Sequence, residues 1–150
     1  MFERMSTASM AVLQEAERYK SRFNLAHLRP EDLLVALTGE HGGLAREVLS
    51  SFGITASEVD MFMNAVDRID GVDNTADGLR FNRLLHSAEA ATDQYEDYFI
   101  EPFHLLIGVI KQRGGFSRIC LNHYGVRTSE ALIRISAGRD LIIAQLALRT

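Results

Sequence analysis

The 150-residue chain has one cysteine, Cys120, two lysines, Lys20 and Lys111, and no apolar run long enough to span a membrane. Each scarcity excludes something. A single cysteine cannot close an internal disulfide and offers a metal only one thiolate, so a disulfide framework and a zinc ribbon are both excluded. The longest apolar stretch, 141–144 and 146–148 on either side of Gln145, is under half of the roughly 20 residues a membrane helix needs. Neither lysine follows a glycine, and the pattern G-x-x-x-x-G-K-[ST] is absent, so the chain lacks the loop that cradles phosphates for ATP hydrolysis. Bases are outnumbered, 16 against 20 acids for a net charge of −4, which leaves nonspecific nucleic-acid binding without a driver at the level of the whole chain. The opening MFERMSTASM carries Glu3 and Arg4 where a signal peptide carries only positive charge, and no long apolar stretch follows. These features predict a soluble protein of a reducing compartment, the cytoplasm or an organelle stroma. No two of His27, His41, His86, His104 and His123 have the spacing of a helical metal site, so neither metal nor cofactor is expected.

What the chain does have is an internal repeat. An apolar fraction of 47% and a charged fraction of 24% are those of a globular protein, of a size for one domain or two small fused units. Sliding the sequence by 72 residues brings its halves into register. Residues 30–37, PEDLLVAL, fall on 102–109, PFHLLIGV. Gly42-Gly43 falls on Gly114-Gly115, Arg46 on Arg118, Leu49 on Leu121, and Gly53-Ile54 on Gly125-Val126. Identity is about a quarter of the aligned positions, yet it lands on glycines, prolines and core leucines, as a structural repeat requires.

Within each copy the apolar spacing is helical. Val12, Ala16, Tyr19 and Phe23 trace one face, and Leu84, Ala88, Ala91 and Tyr95 repeat it. Pro30 and Pro102 suit the first turn of a second helix, which carries Leu33, Leu34 and Leu37 in one copy and Leu105, Leu106 and Val109 in the other. The Gly-Gly pairs break the chain before a third helix with Leu44, Val48, Leu49 and Phe52, mirrored by Phe116, Cys120, Leu121 and Tyr124. Gly53 and Gly125 stand where a left-handed cap is wanted. In the fourth helix, Thr55 and Glu58 read as a capping box ahead of a buried stripe of Val59, Phe62, Met63 and Val66. Its mirror starts near Thr128 or Ser129 and is expected to bury Leu132, Ile133 and Ile135. The predicted fold is all-α, two tandem four-helix repeats packed as one domain with pseudo-two-fold symmetry. Repeat one covers about 1–69, a turn-rich linker 70–78, repeat two about 79–138, and an apolar tail 139–150, with Gly138 expected to break or bend the eighth helix.

The doubled core, with its Gly-Gly turn and its L-G-[IV]-like cap, resembles the amino-terminal domain of the Clp AAA+ unfoldases over residues 1 to about 135. The opening MFERMS is similar to the start of the ClpC type. The resemblance implies a non-enzymatic binding module that receives adaptor or substrate proteins for an ATPase ring, or a short accessory protein associated with Clp unfoldase or peptidase subunits. It also implies pockets for phosphoarginine-marked proteins. The first maps onto Ser6 and Glu31; the second maps onto Gly78 and Phe103, which can neither bond a phosphoryl group nor pair a guanidinium. Phe2 matches an aromatic position that lines an adaptor surface in the family.

Other candidates are weaker. Cys120 occupies the apolar position of Val48 and reads as a buried thiol, the alternative being a cysteine nucleophile beside His104 or His123. Tyr98, Phe99 and Phe103 form an aromatic cluster ahead of the sixth helix. The tail, with Leu141, Ile142, Ala144, Gln145 and Leu148, either folds back or docks on a partner or a second subunit. A helical regulator that captures an amphiphilic ligand or peptide between the repeats is the second functional reading.

Overall fold

Capping chemistry, rather than propensity, sets where the helices begin and end. The structure, a computed structural model, describes residues 2–65 and 75–149. Among them a 3-10 turn over Phe2–Arg4 leads into α1 (Thr7–Ser21), α2 (Pro30–Leu37), α3 (Gly43–Ser51), α4 (Ala56–Asn64), α5 (Thr75–Gln94), α6 (Pro102–Ile110), α7 (Phe116–His123) and α8 (Thr128–Leu148). The described residues contain no strand, only a parallel bridge between Met5 and Ile100. Ser6 Oγ accepts from the Ser9 amide at 3.1 Å to start α1, and Thr55 Oγ1 accepts from the Glu58 amide at 3.4 Å to start α4. Gly53 and Gly125, at φ +83° and +73°, close α3 and α7. The following amides of Ile54 and Val126 reach back to Leu49 and Leu121, each at 2.9 Å, which is the Schellman pattern.

The two quartets pack around α2 and α6, whose Leu33, Leu34, Leu37, Leu105, Leu106 and Val109 are fully buried. Contacts between the halves come in pairs related by the 72-residue offset. α1 meets α6 as α5 meets α2, and α3 meets α6 as α7 meets α2. Arg134 of α8 lies 3.7 Å over the Phe52 ring, and at the related positions Phe62 packs on Tyr124 at 6.3 Å. The pseudo-two-fold is therefore kept down to single side chains. Gly108 lets α5 and α6 approach closely, since a Cβ there would lie 2.6 Å from the Leu84 carbonyl oxygen.

Three expectations need correction. Ile133 is 68% exposed, because the face of α8 that enters the core is that of Ala131 and Ile135. Two residues away from either is about 200° around the helix. Residues 75–78 of the expected linker are helical: Asp77 suits the positive end of α5, and Gly78 admits the His27 ring, whose atoms lie 3.0 Å from where a Cβ would be. Gly138 does not break α8. Its missing Cβ makes room for Leu44 of α3, and the helix runs on to Leu148. The expectations for Val66, for 70–74 and for the Phe2 side chain lie outside the described residues.

Candidate functional site

Each repeat fixes the entry to its second helix with the third helical residue. Asp32 Oδ2 accepts from the Arg29 amide at 2.9 Å and from Arg29 Nε at 2.9 Å, while Oδ1 accepts from Nη2 at 2.5 Å. The pair is fully buried, and Arg29 lies 4.9 Å over the Phe23 ring. In repeat two His104 takes this place. Its Nδ1 accepts from the Glu101 amide at 2.8 Å, so the ring proton sits on Nε2 and is donated to Asp97 Oδ2 at 3.0 Å. Burial holds His104 below the usual imidazole range, keeping it neutral in spite of Asp97. Burial also opposes ionisation of Asp97, but hydrogen bonds from Arg139 and His104 outweigh it and pull that carboxyl below its ordinary value.

The residues expected to form the pockets are distributed differently. Ser6 donates its amide to Ile100 O at 3.1 Å, and Ser9 Oγ donates to the same oxygen at 2.6 Å. Arg4 adds bonds to Tyr98 O and Thr92 Oγ1, both 2.9 Å. The start of repeat one is thus held on the segment that leads into Phe103. The start of repeat two is held on repeat one, with Gly78 against His27 and Asp77 among the charges acting on Glu31. The resemblance pairs Ser6 with Glu31 and Gly78 with Phe103; the contacts seen tie Ser6 to Ile100, three residues before Phe103, and set Asp77, the neighbour of Gly78, to act on Glu31. Glu31 is only 5% exposed, and desolvation raises its pKa to about 7. Cys120 is buried with its thiol pushed up to about 11, by burial and then by Glu31, so it is not a poised nucleophile.

Phe103 belongs to an apolar surface. Its ring stacks on His104 at 4.0 Å and meets Tyr95 edge-on at 5.8 Å. With Tyr98, Phe99, Ile142, Ile143 and Leu146 it lines a groove of about 310 Å³ between the loop before α6 and the last turns of α8. Arg139 clamps the two walls, donating to Asp97 Oδ1 at 2.7 Å and to Tyr95 O at 2.8 Å. Beyond the groove, Leu141 and Leu148 are 61% and 88% exposed. Sequence reading found the aromatics and the apolar tail but not their union, because the Asp97–Arg139 bond that brings them together spans 42 residues. Among the described residues no group of His, Cys, Asp or Glu side chains is placed to hold a metal ion, and no helix is long and apolar enough to cross a membrane.

Two helical repeats packed on each other, with an apolar groove at one end, define a double-repeat all-α module. The family model of the Clp repeat (R) N-terminal domain matches residues 4–123, and the chain belongs to that family. Among curated relatives, it is 25% identical over 162 residues to an ATP-dependent Clp protease ATP-binding subunit ClpA homolog of Cyanidium caldarium, covering 95% of this chain and 19% of the relative. It is 26% identical over 131 residues to the chloroplastic chaperone protein ClpC of Pisum sativum, covering 83% of this chain and 14% of that one. The chain therefore spans less than a fifth of the length of these relatives. The solved N-terminal domain of the caseinolytic protease associated chaperone ClpD from Arabidopsis thaliana superposes with a TM-score of 0.68 at 15% identity, over 91% of this chain and 95% of that one. That likeness carries the fold.

Proposed function

We propose that the chain is a non-enzymatic docking module of a Clp unfoldase or protease system, and that its working surface is the groove between the loop before α6 and the end of α8. The observation that carries this reading is the concentration of exposed apolar side chains there. Tyr98, Phe99, Ile142, Ile143 and Leu146 of the groove, and Leu141 and Leu148 beside it, are exposed to water with no contact within the chain that buries them, whereas the core side chains are almost wholly covered. An apolar patch rimmed by Asp97, Glu101 and Arg139 suits an apolar segment of an adaptor, a substrate or a Clp subunit. Membership of the Clp repeat family supports the choice of system. The reading leaves out phosphoarginine at Ser6 and Glu31. Ser6 Oγ caps α1, and a carboxyl as buried as Glu31, with a pKa near 7, is poorly placed to pair with an incoming guanidinium. The apolar residues of α2 and α6 are buried against each other's helices, so the amphiphilic-ligand reading has for its site the cleft of about 300 Å³ between the repeats beside Leu28, Leu79 and Phe81.

The test is native affinity capture with tagged chain from its own cells, followed by mass spectrometry. A Clp ATPase, peptidase or adaptor should be enriched by the wild type and lost with Ile142→Glu/Leu146→Glu, two exposed groove positions whose change leaves helix content unaltered. Equal recovery by both proteins would remove the groove from the mechanism, and recovery of no Clp component would remove the system. A companion thermal-shift series with free phosphoarginine should leave the melting point unchanged, since only a ligand of the folded state raises it.

A further inference from the structure

The two repeats share a backbone plan but differ in charge at one place, balanced in repeat one and basic in repeat two. Each has a cleft between its first and second helices, at the end of the second helix. In repeat two this cleft, about 310 Å³, is lined by Arg80, Arg83 and Ser87 of α5 and by Lys111, Gln112 and Arg113 of the α6–α7 turn. The 72-residue offset maps these positions onto Ala8, Ala11, Glu15, Gly39, Glu40 and His41, of which the last four line the repeat-one cleft of about 460 Å³. Six aligned positions thus hold four cations in one copy and two carboxylates in the other, whose cleft also has Arg18 and Arg22 at positions that are Ala90 and Gln94 in repeat two and so is balanced in charge.

Repeat one serves as an internal control for what the fold requires. Lys111 and Arg113 sit at the negative end of α6, where a cation is mildly favourable. Yet the turn after α2 has Gly39 and His41 at these positions and α2 folds as well. Arg80 and Arg83 are exposed positions of α5, and their counterparts on α1 are alanines. Neither helix formation nor packing explains the cations. Nor are they matched internally: among the described residues only Asp77 pairs with any of them, at 3.3 Å from Arg80. In a chain of net charge −4, four of the 16 bases therefore converge on one cleft with almost no neutralising partner.

We propose that this cleft binds a carboxylate-rich segment of a partner protein. Three features select that ligand. The cations occupy two walls, a pair one helical turn apart on α5 and a pair two residues apart on the turn. An extended segment sends alternate side chains to opposite sides, so its acids reach both walls at once. Three of the four cations are guanidinium groups, which hold carboxylates through paired hydrogen bonds. The lining has no aromatic ring on which a base could stack, which disfavours single-stranded nucleic acid. All four cations are exposed, unlike the buried cation of a compact phosphate site, so a ligand with its charge spread along a chain fits them better. The site is separate from the apolar groove, and the proposal stands whether or not a Clp component docks there.

Fluorescence anisotropy tests it with the full chain and a short fluorescein-labelled peptide of alternating Glu and Asp, at ~50 mM salt where surface charge is weakly screened. Saturable binding is expected, weakened about tenfold or more by Arg83→Glu/Arg113→Glu, a loss that several exposed ion pairs account for. Arg46→Glu/Arg127→Glu makes the same change in net charge on exposed arginines outside the cleft and should weaken binding less than about twofold. Circular dichroism and melting points establish that all variants fold. Equal loss in both variants would reduce the effect to net charge and overturn the site, as would no binding by the wild type. Competition arms use inorganic pyrophosphate and an oligothymidylate; stronger binding of either than of the peptide overturns the assignment in favour of a compact phosphate or a nucleic acid.

Discussion

Glu31 illustrates how far a side chain's setting can depart from its local sequence. As the second residue of α2 it reads as a solvated acid at a helix start, favoured by the dipole. The fold instead buries it where Arg29, Asp32 and Asp77 act on it, and desolvation lifts its pKa from 4.5 to about 7. The native state therefore binds a proton more tightly than the unfolded chain. The contribution of this group to stability is full below about pH 4.5 and is lost as pH rises through about 7, a swing of about 3 kcal/mol at 1.36 kcal/mol per unit. Glu31→Gln keeps the shape without the charge, so urea titrations at pH 8 should show it more stable than the wild type by up to that amount, with the difference vanishing near pH 5. A wild-type advantage at pH 8 would mean that the ionised carboxylate is stabilised in the fold. Asp97 works the other way. It satisfies both the buried His104 Nε2–H and the Arg139 guanidinium, so Asp97→Ala should cost about 1–3 kcal/mol in the same titrations. Neither role was legible in sequence, because what decides each depends on distant chain: tertiary burial and Asp77 for Glu31, Arg139 for Asp97.

Helices were the most legible level, and α8 shows where that legibility ends. Prolines, cap residues and apolar spacing marked the starts of α2, α4, α6 and α8, since those signals act within one turn. A glycine inside a helix carries two meanings that sequence alone does not separate, a weak point in the backbone or a close approach by a neighbour. At Gly138 the neighbour is Leu44. Helix propensity alone would make Gly138→Ala stabilising by about 1 kcal/mol. The Leu44 side chain occupies the space of the added methyl group, so overpacking should reverse the sign to a loss of about 1–3 kcal/mol. The double variant Gly138→Ala/Leu44→Ala should then lose less than the two single changes summed. Thermal unfolding of the four proteins closes that cycle, and simple additivity would place the strain elsewhere.

The duplication explains why the molecule needs both halves. A four-helix unit of about 60 residues buries too little surface to be more than marginal alone. Here each half completes the other: Met5 bridges to Ile100, Tyr124 bonds Glu58 Oε2 at 3.1 Å, and Arg134 donates to Ser51 O at 3.1 Å while covering Phe52. Because the starts of α1 and α5 are held on the opposite repeat, the symmetry makes stability mutual, while the surfaces are left to diverge into an apolar groove and a basic cleft on repeat two. Mutual stability has a measurable consequence. Leu105→Ala empties a fully buried position of α6 and should cost about 2–5 kcal/mol. If the halves unfold as one unit, the loss will appear undiminished in repeat one. Hydrogen exchange followed by mass spectrometry in denaturant should show peptides of α1 and α2 losing protection together with those of α5 and α6, in wild type and variant alike. Retained protection in α1 and α2 while α5 and α6 open would make the repeats separable units that merely touch.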